Sequence, residues 1–189
     1  SLNTEYIGIY LDNNKAEIQS IDLRKALNYG LDRKEMIRFL KNNIGSPATK
    51  GFIPDGLNTN LAVRGYSYNI KKAKELVEQF RIDSGIQNPT LSLASDENYV
   101  DLCTYLQNTY NQIGITINIE VMPSAALREA KSNGKLELFR ASWIADYPDP
   151  ENYLLPYFSE NFSPNGPNYT HFKSKRFDEG YKEIAATLD

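Results

Sequence analysis

The stretch Phe139-Arg140-Ala141-Ser142-Trp143-Ile144-Ala145-Asp146-Tyr147-Pro148-Asp149-Pro150 organises the reading of this chain. Leu136 to Ile144 is apolar and aromatic enough for a strand. Pro148 has no N–H to give to a ladder, so pairing stops there. Asp149-Pro150 has the form of a helix cap followed by proline at the first helical position. Arg140, the only tryptophan Trp143, and the carboxylate of Asp146 gather at this transition. A cation, a broad apolar wall and an anion at one strand end suit a ligand that is itself zwitterionic.

Outward from that stretch, the chain alternates strand and helix patterns. Glu5 to Leu11 is strand-like, with Ile7, Ile9 and Leu11 on one face, and Asp12-Asn13-Asn14 breaks it. Ser20 or Asp22 caps a short helix carrying Leu23, Ala26 and Leu27, which Gly30 ends. Asp32-Arg33-Lys34-Glu35 resembles a capping box ahead of Met36, Ile37 and Leu40, and Gly45 closes that helix. Ser46 to Ser67 is a long loop, read as a surface connection packed by Phe52, Ile53 and Leu57, with direct ligand contact as the other reading.

Asn69 caps a helix with Ala73, Leu76, Val77 and Phe80 inward. A strand with Leu91 and Leu93 follows Pro89. Ser95-Asp96-Glu97 then opens a helix whose apolar positions Tyr99, Leu102, Cys103, Leu106, Tyr110 and Ile113 keep a 3.6-residue period. Ile115, Ile117, Ile119 and Val121 alternate with polar residues as a half-buried strand. Pro123 begins a helix that Gly134 ends, and the strand quoted above comes next. Helices are expected from Asp149 to Phe158 and from Ser174 to Leu188. The order strand, helix, strand, helix, strand predicts an α/β layer with parallel pairs.

The chain has 189 residues, net charge −3 and an acidic isoelectric point, which suits one domain and argues against a nucleic-acid surface. Aromatics make up 12% of it, so disorder is not expected. Cys103 stands alone, which excludes an internal disulfide and reads as a small core residue. No apolar run approaches membrane-spanning length.

Catalytic chemistry is poorly provided for. The one histidine, His171, borders a polar loop and reads as a surface residue. No nucleophile elbow, phosphate loop or His-Glu-x-x-His is present. One histidine and one cysteine cannot supply an ordinary zinc site, so neither a metal nor a cofactor is expected. Asn161-Phe162-Ser163 and Asn168-Tyr169-Thr170 fit the glycosylation pattern, a match that chance often produces.

Trp143-Ile-Ala-Asp-Tyr-Pro-Asp-Pro-Glu-Asn-Tyr153, Asp22-Leu-Arg-Lys-Ala-Leu-Asn-Tyr-Gly-Leu-Asp-Arg-Lys-Glu-Met-Ile37 and Tyr68-Asn-Ile-Lys-Lys-Ala-Lys-Glu-Leu76 occur in this order. Together they resemble the family-5 extracellular solute-binding proteins, the oligopeptide- and dipeptide-binding components of ABC importers. The resemblance implies a mixed sheet with flanking helices, one lobe of a two-lobed, type II periplasmic-binding-protein-like fold. Residues 1–189 would be a single α/β lobe of a longer chain, and the abrupt end in Ile184-Ala-Ala-Thr-Leu-Asp189 agrees with a piece. By itself such a lobe would supply one wall of the ligand site.

The resemblance assigns Asp146 to the peptide's α-ammonium and Arg140 to its carboxylate, where a carboxylate and a guanidinium fork suit those charges. The residues alone leave Asp146 open to a turn role and Arg140 to a structural ion pair. Trp143 packs over the ligand or fills the core. Strand periodicity places Arg140 and Trp143 on opposite faces. The backbone from Arg140 to Ile144, Ser142 included, would pair with a peptide by strand addition. Asp149 is a cap.

The implied partners are an oligopeptide ligand and ABC permease subunits, with no nucleic acid. The implied place is the periplasm or outer face of the cytoplasmic membrane, with membrane contact only through a possible lipid anchor. Other members of the family bind nickel chelates, haem or sugars. A cytoplasmic regulator using this lobe as a sensor, and a hydrolase built on His171, are the readings of other classes.

Overall fold

The computed structural model describes residues 2–57, 63 and 65–188, with side chains to residue 186. Ser1, part of the long loop and Asp189 therefore lie outside the described residues. The sheet has four strands, β1 (Asn3–Ile9), β2 (Thr90–Ser95), β3 (Thr116–Val121) and β4 (Leu138–Ile144), in the order β1-β4-β2-β3. β2 pairs in parallel with β3 and β4, and β1 runs antiparallel to β4. The parallel pairs meet the expectation for β2, β3 and β4; the antiparallel edge strand makes the sheet mixed.

The helices form where their caps satisfy the first free N–H groups. Ser20 accepts from Leu23 N–H at the start of α2 (Ile21–Tyr29), which a single-turn α1 (Ala16–Gln19) precedes. Asp32 accepts from Lys34 and Glu35 at the start of α3 (Arg33–Lys41), and Asn69 from Lys72 at the start of α4 (Ile70–Ser84). α3 stops before the expected Gly45, because Asn42 takes the left-handed conformation at φ 47° and caps it.

Two cores lie against the sheet. One joins Leu23, Ala26 and Leu27 of α2, Val77 and Phe80 of α4, and Cys103, Leu106 and Tyr110 of α5 (Val100–Asn111) to Leu91, Leu93, Ile117 and Leu138. The other joins Leu127 of α6 (Ser124–Ser132) to Ala94, Phe139 and Ala141. Alternation along β4 thus sends Leu138 to one core and Phe139 and Ala141 to the other, as period two requires. Burial holds the Cys103 thiol above its usual range, as suits a core residue.

Several expectations are corrected. β1 ends at Ile9, and Leu11 instead donates its N–H to Thr170 O at 2.9 Å. The segment from Asp149 to Phe158 is not an α-helix. It forms short 3-10 turns, Pro150–Tyr153 and Leu155–Tyr157, with Ser159–Asn161 beyond. Pro156 supplies no N–H and crowds the preceding turn, so an α-helix cannot run through it. The last helix, α7, spans Lys175–Leu188. Asn168 is fully buried and its amide donates to Phe158 O and Phe172 O, so the second glycosylation match is a structural residue.

Candidate functional site

β2 is the strand where the chain changes direction. The helix after it, α5, covers one face on the way to β3, and α6 covers the other on the way back to β4. In open α/β sheets ligands bind beyond the carboxyl ends of the strands at such a switch, which here is the end shared by β2 and β4. β4 overhangs β2 there. Only Leu138 and Phe139 pair with β2, so the edge of Arg140 to Ile144 that faces β2 has no strand partner among the described residues. Its other edge is filled by β1 through Ile7 to Asn3.

Arg140, Ser142 and Ile144 share one strand face and Phe139, Ala141 and Trp143 the other, as expected. Ile144 is 67% exposed at the strand's tip. The Arg140 side chain is 12% exposed and meets Glu5 of β1 through Nη2. Its guanidinium carbon lies 3.4 Å from the centre of the Tyr99 ring, and its Nε is buried without a hydrogen-bond partner. Trp143 is half-buried and donates from Nε1 to Asn152 Oδ1 at 2.9 Å. Asp146 lies past the strand, exposed, and its side chain makes no hydrogen bond or ion pair among the described residues. Asp149 accepts from Glu151 N–H at 2.7 Å, which is the cap its position before Pro150 predicts.

The turn between Ile144 and Pro150 is held from below. Glu151 is buried and accepts from the hydroxyls of Tyr147 and Tyr181 at 2.5 Å each, tying α7 to the turn. Burial and the bond to Glu151 raise the Tyr181 phenol; the bond to Glu151, then burial, raise that of Tyr147. Fully buried Tyr153 donates to the Leu2 carbonyl. Phe52 reaches this end of the sheet from the long loop. Its ring meets Tyr6 at 5.1 Å, Tyr157 at 5.1 Å and Tyr153 at 6.2 Å, and its carbonyl accepts from Thr4 Oγ1 at 3.0 Å. The loop therefore packs as a connection through Phe52, and that packing brings it beside the tip of β4.

The sequence assigns no site role to Glu5, Tyr99, Asn152 or Glu151; it reads Glu5 as a strand residue and Tyr99 as an apolar helix position, whereas Tyr99 ends a 3-10 turn ahead of α5 and faces Arg140. Only Asn152 and Glu151 fall inside a quoted motif; Glu5 and Tyr99 reach Arg140 through strand register and a chain turn that no local pattern announces.

His171 is not a surface residue. Its side chain is 15% exposed, its φ is 53°, and its ring stacks on Phe162 at 4.4 Å. Nδ1 faces Asp12 Oδ2 at 2.7 Å, while Nε2 faces Ser163 O at 3.0 Å and Ser163 Oγ at 3.2 Å. The order Asp-His-Ser imitates a catalytic triad, but a carbonyl oxygen only accepts, so Nε2 donates to Ser163 O and is no base toward the hydroxyl. Ser163 is itself buried. Among the described residues no group of histidine, cysteine and carboxylate side chains is arranged to hold a metal.

A four-stranded mixed sheet with helices on both faces is a fold of the type II periplasmic binding proteins. Solved structures share it. A substrate-binding domain of an oligopeptide ABC transporter from Bacillus anthracis superposes with a TM-score of 0.87 at 21% identity, over 100% of this chain and 38% of that one. A periplasmic binding protein of Helicobacter pylori, solved with the peptide STSA, gives 0.85 at 22% identity, over 97% and 35%.

Residues 1–165 match the family described as bacterial extracellular solute-binding proteins, family 5, middle, and the chain belongs to that family. It is 24% identical over its whole length to a probable D,D-dipeptide-binding periplasmic protein of Escherichia coli, covering 36% of that protein. It is 27% identical to a dipeptide-binding protein of Lactococcus lactis, over 89% of this chain and 32% of the relative. Heme-binding protein A of Haemophilus influenzae is 28% identical, over 94% and 32%. The chain spans about a third of the length of these relatives.

Proposed function

We propose that this chain is one lobe of a two-lobed extracytoplasmic protein that binds oligopeptides and delivers them to an ABC permease. The observation that carries the reading is the unengaged Asp146 carboxylate at the end of a strand whose edge toward β2 is unpaired. A peptide laid along Arg140 to Ile144 would take main-chain hydrogen bonds from that edge and bring its α-ammonium to Asp146. Arg140, Ser142, Trp143 and Ile144 would form the wall. Backbone and terminus would carry the affinity, and varied side chains would be tolerated. Closure of the second lobe would bury the ligand.

Relatives named for dipeptides support the peptide class, and the relative named for haem marks the other ligand the family offers. The chain is not read as an enzyme, since His171 is committed to holding a loop. No helix among the described residues is long and apolar enough to cross a membrane.

The test is calorimetry on the full-length protein carrying this chain. Asp146→Asn is expected to weaken free-amine peptides about tenfold or more, and N-acetylated ones far less. Equal losses for both would take Asp146 out of the role. Mass spectrometry of ligand carried through purification would separate peptide from haem, nickel chelate or sugar.

A further inference from the structure

Arg140 is the cation that a zwitterionic ligand would use for its carboxylate, yet the fold already answers it. Glu5 and Arg140 lie on neighbouring strands, with Glu5 opposite Ser142 and Ile7 opposite Arg140. That register puts them on one face as diagonal neighbours, within reach of long side chains. The carboxylate of Glu5 takes Nη2, and Asn3 Nδ2 donates to Glu5 Oε1 at 2.9 Å, which holds the acid in place. The Tyr99 ring covers one face of the guanidinium and Nε is buried.

A second carboxylate arriving at Arg140 would meet only the remaining outer edge. It would also stand beside the charge of Glu5, and like charges at that range repel. The attraction it gains from Arg140 is offset by that repulsion and by its own loss of water. Asp146 has no such internal partner. The two ends of the site are therefore unequal: one charge is free and the other is spoken for.

We propose that Glu5 is a built-in occupant of Arg140 that leaves the carboxylate end of the ligand unread. The ligand class is then peptides held by amine and backbone alone, including long and C-terminally blocked ones. The inference rests on the reading that the ligand amine meets Asp146. Glu5 is a specificity-determining residue under it, and Arg140 shapes the wall.

The experiment uses tetra-alanine in four forms: free, N-acetylated, C-amidated and doubly blocked. Each is titrated into the full-length protein, wild type and with Glu5→Ala or Glu5→Gln. In the wild type, acetylation is expected to cost about tenfold or more and amidation less than about threefold. In both Glu5 variants the amidation penalty rises to about tenfold, because Arg140 is released to a ligand carboxylate. A wild type that already loses tenfold on amidation overturns the role of Glu5 while the amine reading stands. So does an amidation penalty that neither variant changes. Failure of every form to bind, or indifference to acetylation, overturns the amine reading and this inference with it.

Discussion

The indole N–H of Trp143 donates to the side-chain oxygen of Asn152 at 2.9 Å, and this bond closes the base of the turn that carries Asp146. Asn152 is fully buried, so its amide oxygen cannot be replaced by water without opening the turn. Asn152→Ala should leave the indole N–H unpaired and cost about 1–3 kcal/mol of stability. Trp143 is the only tryptophan of these 189 residues, so the fluorescence of this chain taken alone reports the site directly. A red shift together with a lower melting temperature is expected. An unchanged spectrum with unchanged melting would show that the bond holds nothing.

Glu151 faces two phenol hydroxyls in a buried setting. A charged acceptor makes such bonds stronger than a neutral amide does. Glu151→Gln should destabilise by about 1–3 kcal/mol and loosen α7 from the turn. The Tyr147 phenol, raised first by its bond to Glu151, should ionise at lower pH in the variant. Ultraviolet titration of the tyrosines in both proteins checks this, and identical curves would contradict it.

Gly8 pairs with Phe139 across β1 and β4, and the Phe139 ring lies over it. A Cβ at position 8 would sit 2.3 Å from ring carbons of Phe139, which is itself 1% exposed and cannot swing out. Gly8→Ala should therefore cost about 1–3 kcal/mol through overpacking. Chemical denaturation is the measurement, and a neutral result would mean the ring can tilt.

Alkaline pH should destabilise the fold before any backbone chemistry intervenes. Burial pushes the Tyr110 phenol up to about 12, against the partial relief given by Arg33. In the unfolded chain the same phenol ionises near 10. Between those values the folded state holds a proton that the unfolded state has released, so stability falls as pH rises. The contribution is whole below about pH 10 and is lost by about pH 12, worth roughly 2–3 kcal/mol. Tyr6 and Tyr157, raised first by burial, act in the same direction. Tyr110→Phe should flatten part of the decline in melting temperature across this window, and a curve parallel to wild type would exclude the assignment.

Local chemistry was enough for the caps at Ser20, Asp32, Asn69 and Asp149, because each bond spans only a few residues and depends on one side chain. The same holds for the period of α5 and the alternation of β4, which burial of one face enforces wherever the element finally packs. The α-helix expected through Pro156 failed where a single residue overrode the pattern around it.

Tertiary structure alone decided the rest. That Arg140 meets Glu5 rather than open solvent follows from strand order and register, which join residues 135 apart. The free edge of Arg140 to Ile144 exists because β2 turns away after Ser95 while β4 continues, a mismatch between two strands that neither carries alone. His171 was misread for the same reason: Asp12, which holds its ring, lies on a turn that only folding brings near.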